Sequence, residues 1–258
     1  MAESSDYNMV FTAEVLGGEQ DDTEVTSFYG TVTTPSRYPV SFHLEAVSDD
    51  TEDASLQGAG GHLYYRDPRW GMLGVTAART SIDLAETEFL PAVNNLEVNM
   101  YGVEAELEVE QLLFAIQAGR IESDDFDFIE DDYLNIELHW GVNQQWYLIA
   151  GSYQFSDETT NFAEANYSFY KHDYVVSPYL GSTWDSFESN YLGLEIRHTT
   201  KSLANWTFFM EVDNGEGDYK AYFFGVRYEF GHVDAVPVVS LFQRNVGGYS
   251  FISSETLY

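Results

Sequence analysis

Residues 221–231 read Ala-Tyr-Phe-Phe-Gly-Val-Arg-Tyr-Glu-Phe-Gly, and this stretch decides how the rest of the chain is interpreted. A β-strand sends alternate side chains to opposite faces. One face of this strand would carry an unbroken apolar and aromatic set, namely Tyr222, Phe224, Val226, Tyr228 and Phe230. The opposite face begins with small and apolar residues and becomes charged at Arg227 and Glu229. The pattern therefore predicts a strand with one face that is apolar along its whole length.

The length of this strand and its aromatic flanks suit a position with lipid on one side and a wet lumen on the other. A strand of a soluble acidic β-sandwich alternates in the same way, so that fold is kept as an alternative. The stretch resembles the closing-strand signal of Gram-negative outer-membrane β-barrels, in which a late Gly225 is followed by spaced aromatics ending in Phe230. The resemblance implies that residues 1–231 form one transmembrane β-barrel domain.

Composition narrows the class of protein. Cysteine is absent from the 258 residues, which excludes disulfides, thiolate metal sites and cysteine nucleophiles. The net charge of −32, from 43 acidic against 11 basic residues, argues against nucleic acid and favours cationic partners. No apolar run approaches the roughly 20 residues that a membrane helix needs. A closed barrel crosses a bilayer without such a run because it satisfies its own backbone hydrogen bonds.

Alternating runs with breaks between them recur along the chain. They predict an all-β fold, a closed antiparallel up-and-down transmembrane barrel of about 14 strands, with 12 or 16 as alternatives. The strands are expected near residues 7–16, 24–34, 39–48, 55–66, 71–80, 96–109, 111–121, 132–142, 145–155, 161–170, 174–183, 189–198, 204–213 and 219–230.

The connections between these strands separate into two kinds. Odd-numbered connections are acidic and several are long; they are 17–23, 49–53, 81–95, 122–131, 156–160, 184–188 and 214–218. Even-numbered connections are short and hold or adjoin basic residues, namely Arg37, Arg66, Arg69, Lys171, Arg197 and Lys201. Bacterial barrels have longer extracellular loops and short periplasmic turns. The separation therefore predicts acidic extracellular loops and, with an even strand count, both termini in the periplasm.

A second resemblance lies in residues 60–68, Gly-Gly-His-Leu-Tyr-Tyr-Arg-Asp-Pro, followed by Gly-Met-Leu-Gly-Val at 71–75. The segment resembles a hairpin of a family of proteobacterial outer-membrane proteins that are often labelled porin-like. That resemblance implies porin-like activity in the bacterial outer membrane and is silent on the substrate. The chain begins with the polar run Met-Ala-Glu-Ser-Ser-Asp, which predicts that a signal peptide has been removed.

Residues 232–258 follow the presumed closing strand and have two interpretations. They are expected to form a periplasmic C-terminal tail, because the end of the chain is too polar for a lipid-facing strand. The alternative is one more hairpin, which would bring the count to about 16 strands.

The same alternation assigns residues to the lumen. A charge facing lipid near the midplane costs about 2–4 kcal/mol for Lys or Arg, so the polar set of each strand is expected to face inward. The predicted pore-lining residues are Glu45, His62, Arg66, Glu104, Glu106, Glu108, Glu137, His139, Glu195, Arg197, Glu211, Arg227 and Glu229. Such an acidic lumen predicts a channel for passive diffusion of small cationic or neutral solutes that prefers cations. The alternative is a non-conducting barrel that acts as a structural anchor, adhesin or assembly partner.

The densest acidic run is residues 122–132, and its carboxylates suit Ca²⁺ or Mg²⁺. A weak divalent site is expected there, formed by Asp124, Asp125, Asp127 and Glu130, with a purely solvated loop as the alternative. Divalent ions at this loop would also bridge to lipopolysaccharide, which is expected as a partner together with outer-membrane lipid. No other cofactor and no enzyme motif is indicated, since His-Glu-x-x-His, a phosphate-binding glycine loop and Gly-x-Ser-x-Gly are all absent. The sequence leaves the oligomeric state open, with a homo-oligomer among the options.

Overall fold

A computed structural model describes residues 10–20, 23–34, 39–52, 54–67, 69–85, 92–123, 130–155, 158–186, 188–199, 204–215 and 220–230. Almost all of these residues lie in β-strands. This part of the chain has no helix that is long and apolar enough to cross a membrane.

The strands follow one another in chain order. They are β1 Val10–Gln20, β2 Thr23–Thr33, β3 Val40–Thr51, β4 Ala54–Asp67, β5 Gly71–Leu84, β6 Val93–Val109, β7 Leu112–Glu122, β8 Glu130–Gly141, β9 Trp146–Phe155, β10 Glu158–Tyr167, β11 Phe169–Lys171, β12 Tyr174–Asp185, β13 Ser189–Thr199, β14 Ala204–Gly215 and β15 Lys220–Phe230.

The strands form one closed antiparallel barrel. Sequential neighbours pair around the sheet, and the circle closes where β1 pairs with β15. The short β11 continues β10 beyond Ser168 and pairs with the same partner, β12, so β10 and β11 together form one stave. The fifteen strands of the described residues therefore make fourteen staves, which confirms the predicted 14-strand up-and-down barrel. The predicted tail or extra hairpin at 232–258 lies outside the described residues.

The two surfaces of the barrel differ in the way that alternation predicts. Large apolar side chains on one face are exposed, for example Val103 at 60% and Phe224 at 63%. Their chain neighbours Glu104 and Phe223 face the interior and are buried. Because alternate residues of a strand face opposite sides, the register makes the exposed apolar surface continuous around the outside. This surface is the lipid-facing side expected of a transmembrane barrel.

The two ends of the barrel also differ. At the end with the odd-numbered connections, here called the acidic end, the strands run further than predicted; β1 reaches Gln20 and β5 reaches Leu84. Backbone pairing continues there beyond the apolar band, because a polar alternating segment still satisfies its ladder hydrogen bonds.

At the opposite end, here called the short-turn end, the turns from β6 to β7 and from β11 to β12 are tight. Glu110 and His172 both adopt φ 55, the left-handed backbone that a two-residue hairpin requires. The β4–β5 turn is held by Asp67, whose Oδ1 accepts hydrogen bonds from the backbone N and the Nε of Arg69, both at 2.9 Å. This hydrogen-bonded carboxylate raises the pKa of the exposed Arg69 guanidinium.

An apolar cluster occupies part of the interior near the acidic end. It is formed by inward side chains of β2 to β8, namely Tyr29, Val47, Leu56, Ala78, Ile82, Leu96, Val98, Met100, Ile121 and Tyr133. All of these are at most 8% exposed. The alternation pattern did not predict an apolar region inside the barrel, because its polar and apolar sets were assigned to separate faces.

Candidate functional site in the barrel interior

One wall of the interior, formed by β3 to β8, carries paired carboxylates. His62 lies between two of them, with Nε2 2.7 Å from Glu45 Oε1 and Nδ1 2.7 Å from Glu104 Oε2. Glu45 also accepts a hydrogen bond from the hydroxyl of Tyr29 at 2.7 Å. A protonated imidazole donates through both nitrogens, so His62 can compensate two buried carboxylates at once.

The other carboxylates of this wall are compensated in a similar way. Arg66 Nη2 donates to Glu106 Oε2 at 2.9 Å. Glu137 accepts a hydrogen bond from the Tyr153 hydroxyl at 2.9 Å and lies 2.7 Å from Nε2 of His139. The acids of this wall thus belong to a packed polar network.

Three buried polar atoms on neighbouring strands of this wall have no protein partner. They are Glu104 Oε1, Gln117 Nε2 and Asn135 Oδ1, and the three residues are register partners across β6, β7 and β8. Buried polar groups of this kind are usually satisfied by ordered water. These three atoms are therefore able to form hydrogen bonds with a bound molecule such as water.

The opposite wall is formed by β10 to β15 and β1. Arg227 Nε donates to Glu14 Oε2 at 2.6 Å, and its Nη1 lies 3.9 Å from Glu195 Oε1. The Glu195 side chain is 25% exposed, whereas the Glu104 side chain on the first wall is 3% exposed. Glu195 is therefore more accessible to water in the lumen than Glu104, whereas Glu14 and Asp213 of the second wall are buried.

Aromatic rings of the second wall lie over inward-facing glycines on the next strand. A Cβ added to Gly193 would be 1.9 Å from the Tyr179 ring, and one added to Gly225 would be 1.9 Å from the Phe209 ring. The hydroxyl of Tyr179 then donates to Glu211 at 2.8 Å. Because glycine leaves this space free, the rings pack against the wall and do not need to project toward the axis.

Solved structures that are similar to this one include the following two. The outer membrane protein Omp33 of Acinetobacter baumannii matches with a TM-score of 0.54 at 10% identity, covering 89% of this chain and 100% of that one. The CymD monoaromatic hydrocarbon channel matches with a TM-score of 0.58 at 6% identity, covering 87% of this chain and 88% of that one. No protein-family model and no curated protein matches the sequence.

The chain has a porin-like outer-membrane β-barrel fold. At 6% and 10% identity the likeness extends to the fold and not to a ligand.

All thirteen predicted pore-lining residues occupy inward register positions of the porin-like barrel. Six of them are buried, namely Glu45, His62, Glu104, Glu106, Glu137 and His139. Five are half-buried, namely Arg66, Glu195, Glu211, Arg227 and Glu229. Glu108 and Arg197, near the short-turn end, are exposed. Contact of these residues with a permeating solute stays a prediction.

Inward-facing carboxylates of the barrel that are not among the predicted pore-lining residues include Glu164 and Glu14. Glu164 is a half-buried carboxylate on β10 that faces inward beside Ile149 and Gly181. Glu14, the partner of Arg227, was also overlooked. The alternation pattern could have assigned Glu164 to the interior, because Phe162, Glu164 and Asn166 alternate with small outward residues in the same strand.

The predicted divalent site is not tested by this structure. Asp124, Asp125 and Asp127 lie outside the described residues, and Glu130 is described only as the first residue of β8. Within the described ranges, no group of three or more His, Asp or Glu is placed to hold a metal ion.

Proposed function

We propose that this protein is an outer-membrane channel for passive diffusion of small solutes and that it prefers cations. The observation that carries the proposal is the interior: a closed barrel of fourteen staves has an inward face rich in carboxylates. The porin-like fold supports a channel, and the exposed apolar outer surface supports a place in the bilayer.

Selectivity is assigned to the second wall. Glu164, Glu195 and Glu211 are half-buried and face the lumen, and Arg227, which lies 3.9 Å from Glu195, is shared with Glu14. On the first wall, Glu45, Glu104, Glu106 and Glu137 are buried and each contacts a histidine or an arginine. Fixed carboxylates that remain wet concentrate cations and repel anions. The second wall should therefore contribute most of the cation preference.

The test is single-channel recording in a planar bilayer across a salt gradient. Wild-type protein should conduct with a cation-selective reversal potential. The variant E164Q/E195Q/E211Q should move that potential toward zero. A matched control, E19Q/E24Q/D50N, removes three exposed carboxylates from the lipid-facing side of β1, β2 and β3 and should keep the preference. An unchanged reversal potential in the luminal variant would contradict the assignment.

A non-conducting barrel is the second candidate, favoured by the buried apolar cluster inside β2 to β8. That cluster and the packed polar network below it fill space that a wide pore would leave to water. Insertion of the protein without current would support this candidate, and the function would then lie in structural anchoring, adhesion or assembly.

The remaining expectations are also proposals. We place the protein in the bacterial outer membrane, with lipopolysaccharide and small cationic or neutral solutes as partners and without catalytic activity. A weak Ca²⁺ or Mg²⁺ site in the 122–132 loop would appear as a divalent-dependent rise in melting temperature that D124N/D125N/D127N abolishes.

A further inference from the structure

An aromatic ring of the second wall already holds a cation in this structure. The Phe209 ring of β14 lies over Gly225 of β15, and the guanidinium carbon of Arg227 lies over that ring, 5.8 Å from its centroid. Nε of the same guanidinium donates to Glu14 on the next strand at 2.6 Å. A guanidinium is thus bound in the lumen between an aromatic face and a carboxylate.

The same arrangement recurs two strands away with a carboxylate in place of the arginine. The Tyr179 ring of β12 lies over Gly193 of β13, so one face of the ring is on the wall and the other is turned to the lumen. Two residues beyond this glycine stands Glu195, at the place that Arg227 takes on β15. Glu211 of the next strand accepts a hydrogen bond from the Tyr179 hydroxyl at 2.8 Å. In the described part of the chain, no basic side chain lies over the Tyr179 ring.

A second ring and a third carboxylate border this ring. The Tyr191 ring lies 6.4 Å from the Tyr179 ring, centroid to centroid, and the buried Tyr191 hydroxyl has no hydrogen-bond partner among the described residues. Glu164 is half-buried, and the charged groups that act on it are the carboxylates of Glu211 and Glu195. All three carboxylates also act electrostatically on Tyr179. Glu164, Tyr179, Tyr191 and Glu211 are called the tyrosine site below.

The charge around the tyrosine site favours a cationic ligand. The described inward positions of β10 to β15 and β1 hold two arginines, the exposed Arg197 and Arg227, which is paired with Glu14. Both arginines lie toward the short-turn end. The inward carboxylates of the same strands outnumber them and include Glu14, Glu164, Glu195, Glu211, Asp213 and Glu229. The second wall therefore carries surplus negative charge beside two aromatic rings.

We propose that the tyrosine site binds the guanidinium group of a permeating solute, as the neighbouring Phe209 ring binds Arg227. This inference names a substrate class for the proposed channel, and it rests on that proposal in requiring that solutes enter the lumen. A guanidinium stacks on an aromatic face and presents a planar fork of donors that matches carboxylate oxygens. Tyr179 carries no charge, so its ring adds a preference for guanidinium that the general attraction of cations to carboxylates does not supply.

The experiment measures ligand binding to the full-length protein in non-ionic detergent by saturation-transfer NMR, with empty micelles as the blank. The probes are methylguanidinium and methylurea, its neutral analogue of nearly the same shape. Wild-type protein should give a saturable signal with methylguanidinium and none with methylurea. Y179L keeps the apolar bulk but removes the ring, and should raise the dissociation constant of methylguanidinium about fivefold or more.

Three further variants sharpen the test. Y179F keeps the ring, loses the hydroxyl, and should bind within about twofold of wild type, because the stacking face remains. Y153L is the matched control: Tyr153 is also an inward tyrosine bonded to a glutamate, but that carboxylate, Glu137, already lies 2.7 Å from Nε2 of His139. Y153L should bind as wild type does. E164Q should weaken binding about fivefold through loss of a charged acceptor, and it serves if Y179L fails to fold, which heat-modifiable gel migration would reveal.

Several outcomes would overturn the inference. They are equal binding of the two probes by wild-type protein, no binding of either, wild-type affinity in folded Y179L or E164Q, or an equal loss in Y153L. The channel proposal is judged separately by conductance and reversal potential. A barrel that binds methylguanidinium through Tyr179 without conducting retains this inference and loses the channel. A cation-selective channel that binds methylguanidinium equally well without the Tyr179 ring does the reverse.

Discussion

At the scale of single residues, glycine determines where the interior aromatics lie. Gly181, Gly193 and Gly225 each leave room for a ring from the neighbouring strand; a Cβ on Gly181 would be 2.0 Å from the Tyr191 hydroxyl. Interiors at crystalline packing density tolerate such a clash only if a side chain moves. We expect the displaced ring to move toward the lumen. These glycines therefore determine how far the aromatic rings of the second wall project into the lumen.

Substitution G193A should push the Tyr179 ring toward the lumen axis. We expect lower single-channel conductance and a loss of stability of about 1–3 kcal/mol, the usual effect of overpacking. The matched control is G17A, because the nearest atom to an added Cβ on Gly17 is 4.0 Å away. The double variant Y179A/G193A removes the displaced ring and should recover conductance. Normal conductance in G193A would show that the Tyr179 ring moves in a direction that does not narrow the lumen.

At the scale of elements, each strand is defined by its period of two. The strands satisfy their backbone hydrogen bonds with both neighbours, and alternation then decides which side chains meet lipid. Strand positions were predictable to within a few residues, because lipid on one side makes the alternation strict. Strand ends at the acidic end were not predictable, since backbone pairing there continues through polar residues such as Glu19 and Asp83.

The assignment of faces predicts that an introduced arginine destabilises the barrel more on the lipid-facing side than on the inward side. V103R places a charge on the lipid-facing side of β6 and should destabilise the barrel by about 2–4 kcal/mol. N166R places the same charge on the inward side of β10, where a half-buried polar residue already stands, and should cost about 1 kcal/mol or less. Urea unfolding in lipid vesicles measures both values. Equal losses would mean that both faces are wet, and a larger loss in N166R would mean that the two faces have been exchanged.

At the scale of the whole molecule, closure holds the chain together. β15 pairs with β14 on one side and with β1 on the other, so the last described strand joins the first. One contact across this seam, between Arg227 and Glu14, connects residues 213 positions apart. Closure leaves no unpaired strand edge in the described barrel.

Because β15 completes the circle, the segment 232–258 should be dispensable for the barrel. A chain that ends at Phe230 should insert into bilayers, migrate as a folded species and keep the wild-type conductance. Refolding yield and single-channel recording measure this, with the full-length chain as reference. Failure of the truncated chain to insert would show that residues after 231 take part in assembly or add strands.

The sequence by itself determined the class of fold, the strand count, the sorting of connections and the inward direction of residues such as Glu104, Glu195 and Arg227. It could do so because every second residue of a strand faces lipid, where a charged side chain costs free energy. Only the tertiary structure decided which inward carboxylates are wet. His62 meets Glu45 and Glu104 from two other strands, and an apolar cluster forms inside β2 to β8. These outcomes depend on side chains that are distant in the sequence and become neighbours only when the sheet closes, and alternation along one strand carries no information about them.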